Sequence, residues 1–189
     1  MTFSKRGQKT AEDLFEKYKE ISPLYYDGDM PREAWIRDKF SYHIPLLFVG
    51  ATGIAVRLIA PFVEDKLRDS AVIVMDQRGR HVIPLLSGHM GGANEVARNL
   101  ADRVGAEVIL TTATDVEDLF AVDVFARRNG FCICDRAGIR RISQRLLEGE
   151  KIRLAIDPAI TFFKEDLPEG LHLVEASDGN VDLWIGCNP

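Results

Sequence analysis

The sequence predicts an α/β protein made of two small α/β domains, each with a mainly parallel sheet flanked by helices. Three observations carry that expectation. Short apolar runs alternate with amphipathic stretches at helical spacing along most of the chain. Three of those runs end in loops rich in glycine, serine or threonine. The composition is that of an ordinary globular chain, with 46% apolar and 28% charged residues over 189 positions, close to the average for folded soluble domains.

The elements follow in order. Residues 3–7 read as a turn, and Ala11, Leu14, Phe15, Tyr18 and Ile21 then recur at helical spacing with Thr10 as an N-cap. Only Met1 and Thr2 precede that turn, so a first strand is short or missing. A short helix is expected between Pro31 and Lys39. Residues 44–49 form an apolar run ending at Gly50, the pattern of a buried parallel strand. A helix carrying Ile54, Leu58, Ile59, Phe62 and Val63 inward comes next. Residues 71–75 are a second buried strand, 76–79 a turn, and 80–85 an extended return. Ala93, Val96, Ala97, Leu100, Ala101 and Val104 then lie on one helical face, closed by Gly105. Residues 107–110 are the next strand.

The pattern changes after Asp115, and the domain boundary is placed near residues 116–119, giving domains 1–117 and 118–189. The second domain is expected to hold a helix over 121–129, a strand over 131–134, a helix over 139–147 and a strand over 151–156. An irregular stretch over 157–170 precedes extended pieces at 171–175 and 181–185.

Bulk properties exclude several classes. Acids exceed bases, 29 to 24, and no basic arm stands out, which argues against nucleic acid as a partner. No apolar run approaches the ~18 residues of a membrane span. The polar start does not resemble a signal peptide, so the cytoplasm is the expected location. The three cysteines, Cys132, Cys134 and Cys187, lack a standard zinc or redox spacing. Cys132 and Cys134 are read as strand residues in a reduced compartment, and no protein metal site is expected.

The chemistry-bearing residues cluster in three loops: 50–53, 87–92 and 111–115. Ligands in open α/β sheets bind beyond the carboxyl ends of the strands, so the three loops are expected to converge on one pocket. In the first, Gly50, Thr52, Gly53 and Arg57 suit either an anion site or a plain threonine cap with a surface arginine. The loop lacks both the dinucleotide and the phosphate-loop signatures. The second, Leu85-Leu86-Ser87-Gly88-His89-Met90-Gly91-Gly92-Ala93-Asn94-Glu95, sets a hydroxyl, an imidazole and a carboxamide at the opening of a helix. Helix starts offer unpaired N–H donors and partial positive charge. Histidine moves a proton near neutral pH, so His89 is the acid/base candidate, with a turn histidine as the plainer reading. Ser87 is either a nucleophile or a turn hydroxyl; its surroundings are not the usual nucleophile elbow. Gly88, Gly91 and Gly92 let backbone approach a ligand. Asn94 orients either a substrate carbonyl or the loop itself. Thr112 and Asp115 belong to the third loop, where Asp115 orients His89 or caps the next segment. Arginines between 127 and 145 make the second domain locally basic.

The same residues carry a family resemblance. Gly50-Ala51-Thr52-Gly53-Ile54-Ala55-Val56-Arg57, the 85–95 stretch and Thr111-Thr112-Ala113-Thr114-Asp115 resemble the cobalt-precorrin-5A hydrolase (CbiG) family of anaerobic cobalamin biosynthesis. Phe120-Ala121-Val122-Asp123 and Ala126-Arg127-Arg128-Asn129-Gly130 resemble the start of its middle region. The resemblance covers the family's N-terminal and middle regions; the usual C-terminal domain has no counterpart here. It implies hydrolysis of the δ-lactone of cobalt-precorrin-5A with release of acetaldehyde. His89 would be the general base, Gly91 and Gly92 N–H groups the oxyanion donors, and Arg57 a carboxylate partner. The cobalt travels with the corrinoid substrate, so no cofactor is implied. A separate C-terminal domain or other corrin-pathway enzymes are the implied partners. The alternative is a corrinoid-binding module that is inactive without that domain.

Overall fold

The computed structural model describes residues 1–17, 22–65, 68–160 and 167–187, and it divides into two compact units, Met1–Leu110 and Thr111–Pro189. Each unit has its own sheet and its own apolar core.

The first unit is built on a four-stranded sheet of β1 (Leu46–Val49), β2 (Val72–Met75), β3 (His81–Leu86) and β4 (Glu107–Val108), in the order β1-β2-β3-β4. All four residues of β2 are buried, as expected of an inner strand covered on both faces. Its side chains alternate. Ile73 and Met75 join Ala11, Leu14, Ala97 and Leu100 on one face, where α1 (Lys5–Lys17) and α4 (Ala93–Val104) pack. Val72 and Val74 join Ile36, Phe40, Ala55 and Ile59 on the other, beneath α2 (Arg32–Ser41) and α3 (Thr52–Ile59). The period-2 alternation of one strand thus feeds two cores in a three-layer arrangement.

Several ends differ from expectation. Helix α1 begins earlier than Thr10, because Ser4 is the cap: its Oγ accepts the Gly7 N–H at 3.0 Å. Thr10 instead donates from its hydroxyl to the Gln77 carbonyl at 2.8 Å, tying α1 to the 76–79 turn. Tyr18 and Ile21, expected on the same helix, lie outside the described residues. Met1 and Thr2 do form a stub of strand beside β1, with a parallel bridge from Thr2 to Val49. In α3 and the turn after it, Ala55, Leu58, Ile59 and Phe62 pack on the core, as expected of the last three, whereas Ile54 and Val63 are exposed. Asp76 builds the β2–β3 turn, accepting the N–H groups of Arg78, Arg80 and His81 at 2.7–2.8 Å. Partial burial of the carboxylate opposes ionisation, but these three donors outweigh it and hold Asp76 below the usual carboxylate range.

In the second unit the sheet order is β6-β5-β7, from β5 (Ile152–Ile156), β6 (Leu171–Leu173) and β7 (Leu183–Ile185), all parallel. Phe120, Ile142, Leu146 and Ile152 form its core. The short α5 (Ala113–Val116), α6 (Val122–Asn129) and α7 (Arg136–Leu147) precede the sheet. Gly130 closes α6 with φ 68° and Gly149 follows α7 with φ 79°, as left-handed helix ends require. Residues 131–134, expected as a strand, join no ladder; Phe131 N–H instead closes the end of α6 on the Ala126 carbonyl at 2.8 Å. Cys132 and Cys134, expected as strand residues, lie in this non-strand stretch and are free and exposed. The break between units falls at Leu110/Thr111, and the expected boundary after residue 117 lies just past α5.

Candidate functional site

The stretch after β3 folds into a tight loop whose every small residue has a physical reason. Ser87 turns the chain with φ 57°, a left-handed conformation that disfavours any residue with a Cβ. Its carbonyl accepts the Ala93 N–H at 3.1 Å, and the Gly88 carbonyl accepts the Asn94 N–H at 3.0 Å. The loop therefore caps the first turn of α4 with its own backbone. Gly92 precedes the helix at φ 80°, and its N–H donates to the His89 carbonyl at 3.0 Å. A Cβ on Gly91 would lie 2.4 Å from Ser87 Cβ and 2.9 Å from the Ser87 carbonyl oxygen. A Cβ on Gly88 would lie 2.6 Å from Asn94 Oδ1, so the buried Asn94 side chain rests against the bare Gly88 backbone.

This geometry changes the expected donor set. Gly92 N–H is engaged within the loop, so it is not an oxyanion donor. Gly91 N–H has no acceptor among the described residues. The Ser87 hydroxyl is the anomaly of the loop: its Oγ is buried and has no hydrogen-bond partner among the described residues. Buried hydroxyls are ordinarily satisfied, and strained backbone concentrates at functional sites, so Ser87 is the candidate residue this loop offers. His89 is half-buried two residues on, and Glu95 is exposed on the first turn of α4.

The 50–53 loop is not at this place. Strand β1 runs parallel to β2, but β3 runs antiparallel to it, with Leu46, Val72 and Leu86 in one row and Val49, Met75 and Val82 in another. The antiparallel return therefore sends the loop after β3 to the opposite end of the sheet from the loop after β1. Given that register, standard strand rise and spacing put Gly50 and Ser87 ~19 Å apart. The expected convergence of Gly50, Thr52, Gly53 and Arg57 with His89 does not occur. Locally, Gly50 is required because a Cβ there would meet the Phe3 ring at 2.9 Å. Ala51, not Thr52, is the N-cap of α3. Arg57 folds back to donate to the Gly53 carbonyl of its own helix at 3.1 Å.

Thr112 and Asp115 belong to the second unit, where Thr112 caps α5 through its backbone and Asp115 lies in the first turn. The other histidines are surface residues: His43 sits in a turn at φ 54°, His172 is exposed on β6, and His81 pairs with Asp76 at 3.3 Å.

The second unit holds two features that pattern reading missed. One is an ionic cluster: Asp182, at the start of β7, accepts from Arg145 at 2.8 Å and from the Arg153 side chain at 3.1 and 3.2 Å. The Arg153 guanidinium above all, with Arg145 beside it, holds the Asp182 carboxyl far below its ordinary range despite partial burial. The other is a cavity of about 830 Å³ walled by α6, residues 131–135, α7 and β7. No residue spacing signals either one, because the contributors come from distant stretches of chain.

The class defined by these features is a two-unit α/β protein whose first unit carries a serine–histidine loop at the opening of a helix. The comparisons with known proteins narrow the class. Residues 34–115 match the family model for the N-terminal region of cobalamin synthesis protein G, and residues 120–177 match that for the cobalamin biosynthesis central region. A cobalt-precorrin-5A hydrolase from Salmonella typhimurium is 43% identical over 147 residues, covering 77% of this chain and 41% of the relative. One from Priestia megaterium is 38% identical over 113 residues, covering 60% and 30%. A crystal structure of a cobalamin biosynthesis protein G homologue from Sulfolobus solfataricus superposes with a TM-score of 0.59 at 23% identity, over 97% of this chain and 57% of that one, a likeness of fold. The chain belongs to the CbiG family of cobalamin-biosynthesis proteins, as its N-terminal and central regions. It spans less than half the length of the curated relatives it matches.

Proposed function

We propose that this chain acts in cobalamin biosynthesis on a corrinoid, hydrolysing the δ-lactone of cobalt-precorrin-5A with loss of acetaldehyde. Support comes from the relatives that carry the name cobalt-precorrin-5A hydrolase. The observation that carries a catalytic reading of the loop is the buried, unpartnered Ser87 hydroxyl on a left-handed backbone at the head of α4.

The reacting groups are confined to residues 87–94. His89 takes a proton from water as it adds to the lactone carbonyl. Gly91 N–H, helped by the partial positive charge at the start of α4, faces the developing oxyanion; one such donor is typically worth about 3–4 kcal/mol of barrier lowering. Ser87 Oγ is the second polar group for that oxygen. Asn94, pressed on Gly88, sets the loop's shape. The ring C–O bond breaks to give a carboxylate and an alkoxide. The alkoxide collapses to acetaldehyde, and the electron pair of the broken C–C bond passes to the macrocycle. Thr112 and Asp115 belong to the second unit, where Thr112 caps α5, and are given no part in the reacting loop. The loop containing Gly50, Thr52, Gly53 and Arg57 is assigned to holding Phe3 and α3, not to the reaction. Cobalt arrives with the substrate, and this chemistry calls for no resident metal or cofactor.

The test is acetaldehyde release from cobalt-precorrin-5A by the purified chain, with and without an added C-terminal domain of a longer relative. Release by the chain alone supports the proposal. Release only with the added domain makes the chain a binding module, and binding without release under either condition refutes it.

A further inference from the structure

We infer that the cavity of the second unit is a binding site for the ring of a flat, apolar-faced polycarboxylate of the tetrapyrrole class. The inference rests on the proposed corrinoid function for the identity of the ligand, and it assigns the site to residues that no motif marks.

Four observations point there. The first is topology: from β5 the chain steps to β6 on one side, then crosses to β7 on the other. The strand order reverses at β5, and ligands of open α/β sheets sit in the crevice at such a reversal. Ile160, just past β5, and Gly186 and Cys187, just past β7, all line the cavity. The second is size: about 830 Å³ falls among small-molecule sites, which span roughly 300–1,000 Å³. The third is chemistry: Phe125, Phe131, Ile133, Ile139 and Trp184 give it apolar walls, and Trp184 remains 42% exposed although it is a large aromatic. Such a residue is costly to leave in water without a ligand or partner to cover it. The fourth is charge: residues 121–147, which supply both walling helices, carry six arginines against two aspartates in a chain of net charge −5. The cavity's own charges pair internally, Arg141 with Asp135 at 2.6 Å and Arg145 with Asp182. The surplus lies on the helices around it, where Arg128 and Arg140 are exposed. Apolar walls beside helices that carry exposed arginines match a macrocycle whose faces are apolar and whose edge bears carboxylates.

The cavity carries its own reporters. All three cysteines of the chain, Cys132, Cys134 and Cys187, line it, and all are free and exposed. The experiment is alkylation of the full chain with N-ethylmaleimide, followed cysteine by cysteine by mass spectrometry, with cobyrinic acid as the ligand probe. Occupancy is expected to slow labelling of all three thiols about tenfold, since such sites enclose most of a ligand's surface. Tricarballylate, which has the carboxylates and no ring, should leave labelling unchanged. Ile133→Glu and Trp184→Ala should each abolish protection while retaining the parent's circular dichroism. Equal labelling with and without cobyrinic acid overturns the inference. So does protection by tricarballylate, or protection that survives both substitutions, which marks thiol coordination to cobalt. Acetaldehyde release without thiol protection would overturn this site alone; protection without release would keep it and overturn the hydrolytic reading.

Discussion

Replacing Ser87 by glycine should make the protein more stable and less active. The structure puts two costs on this residue. Its φ of 57° is left-handed, which costs a residue with a Cβ about 1–2 kcal/mol. Its hydroxyl is buried without a partner among the described residues, which costs about 1–3 kcal/mol. Glycine removes both. Against this stand the greater freedom of glycine in the unfolded chain, about 0.5–1 kcal/mol, and one lost buried carbon, about 0.8 kcal/mol. The balance is a gain of about 2 kcal/mol, equivalent to a rise of about 4–8 °C in the midpoint of a chain this long. Ser87→Ala keeps the strained backbone and should gain about 1–3 kcal/mol, from the hydroxyl alone. Thermal and urea denaturation followed by circular dichroism measure both, beside acetaldehyde release at a fixed substrate concentration. Stability rising while turnover falls is the signature of strain held for function. Glycine that is neutral or destabilising would refute the account of the loop. Glycine that stabilises with turnover unchanged would remove Ser87 from the reaction.

Other perturbations probe the same geometry. Gly88→Ala should destabilise by about 1–3 kcal/mol by driving Asn94 off the loop; combining it with Asn94→Ala should give less than the sum of the single losses in a urea double-mutant cycle. Gly50→Ala should lower the midpoint through its clash with Phe3 yet leave kcat intact once the protein is folded, because Gly50 lies at the far sheet end. Asp182 is ionised more readily in the fold than in the unfolded chain. Its contribution is present above the unfolded carboxylate value near pH ~4 and fades as pH falls below it. Asp182→Asn should therefore lower stability at neutral pH and flatten the acid limb of the stability–pH curve; an unchanged limb would contradict the Arg145–Asp182–Arg153 cluster.

The periodic elements were legible in the sequence because their causes are local. The unbroken apolar run of 72–75, the helical stripe from Ala93 to Val104 and the left-handed glycines at 105 and 130 each act within a few positions. The serine–histidine loop was legible as a cluster of types, since hydroxyl, imidazole and glycines stand together in the chain. Which N–H groups it leaves open was not, because that depends on how Ser87 and Gly88 carbonyls fold back onto α4. The shared pocket for three loops failed for a specific reason. The extended return after the 76–79 turn pairs antiparallel with β2, and one reversed strand moves its loop to the other end of the sheet. Residues 131–134 have the apolar alternation of a strand but no ladder, since strand formation needs a partner that periodicity does not supply. The second-unit cavity and the Asp182 cluster join residues tens of positions apart and leave no trace in spacing.

If the reaction belongs to the 87–94 loop, as proposed, His89 moves the proton. The most direct measurement is single-turnover acetaldehyde formation from cobalt-precorrin-5A by the parent chain and by His89→Gln, matched for circular dichroism and midpoint. A burst is expected from the parent and a rate at least ~100-fold slower from the variant, the usual weight of a general base; the proposed role of His89 rests on that difference. Equal rates from the two proteins would contradict it.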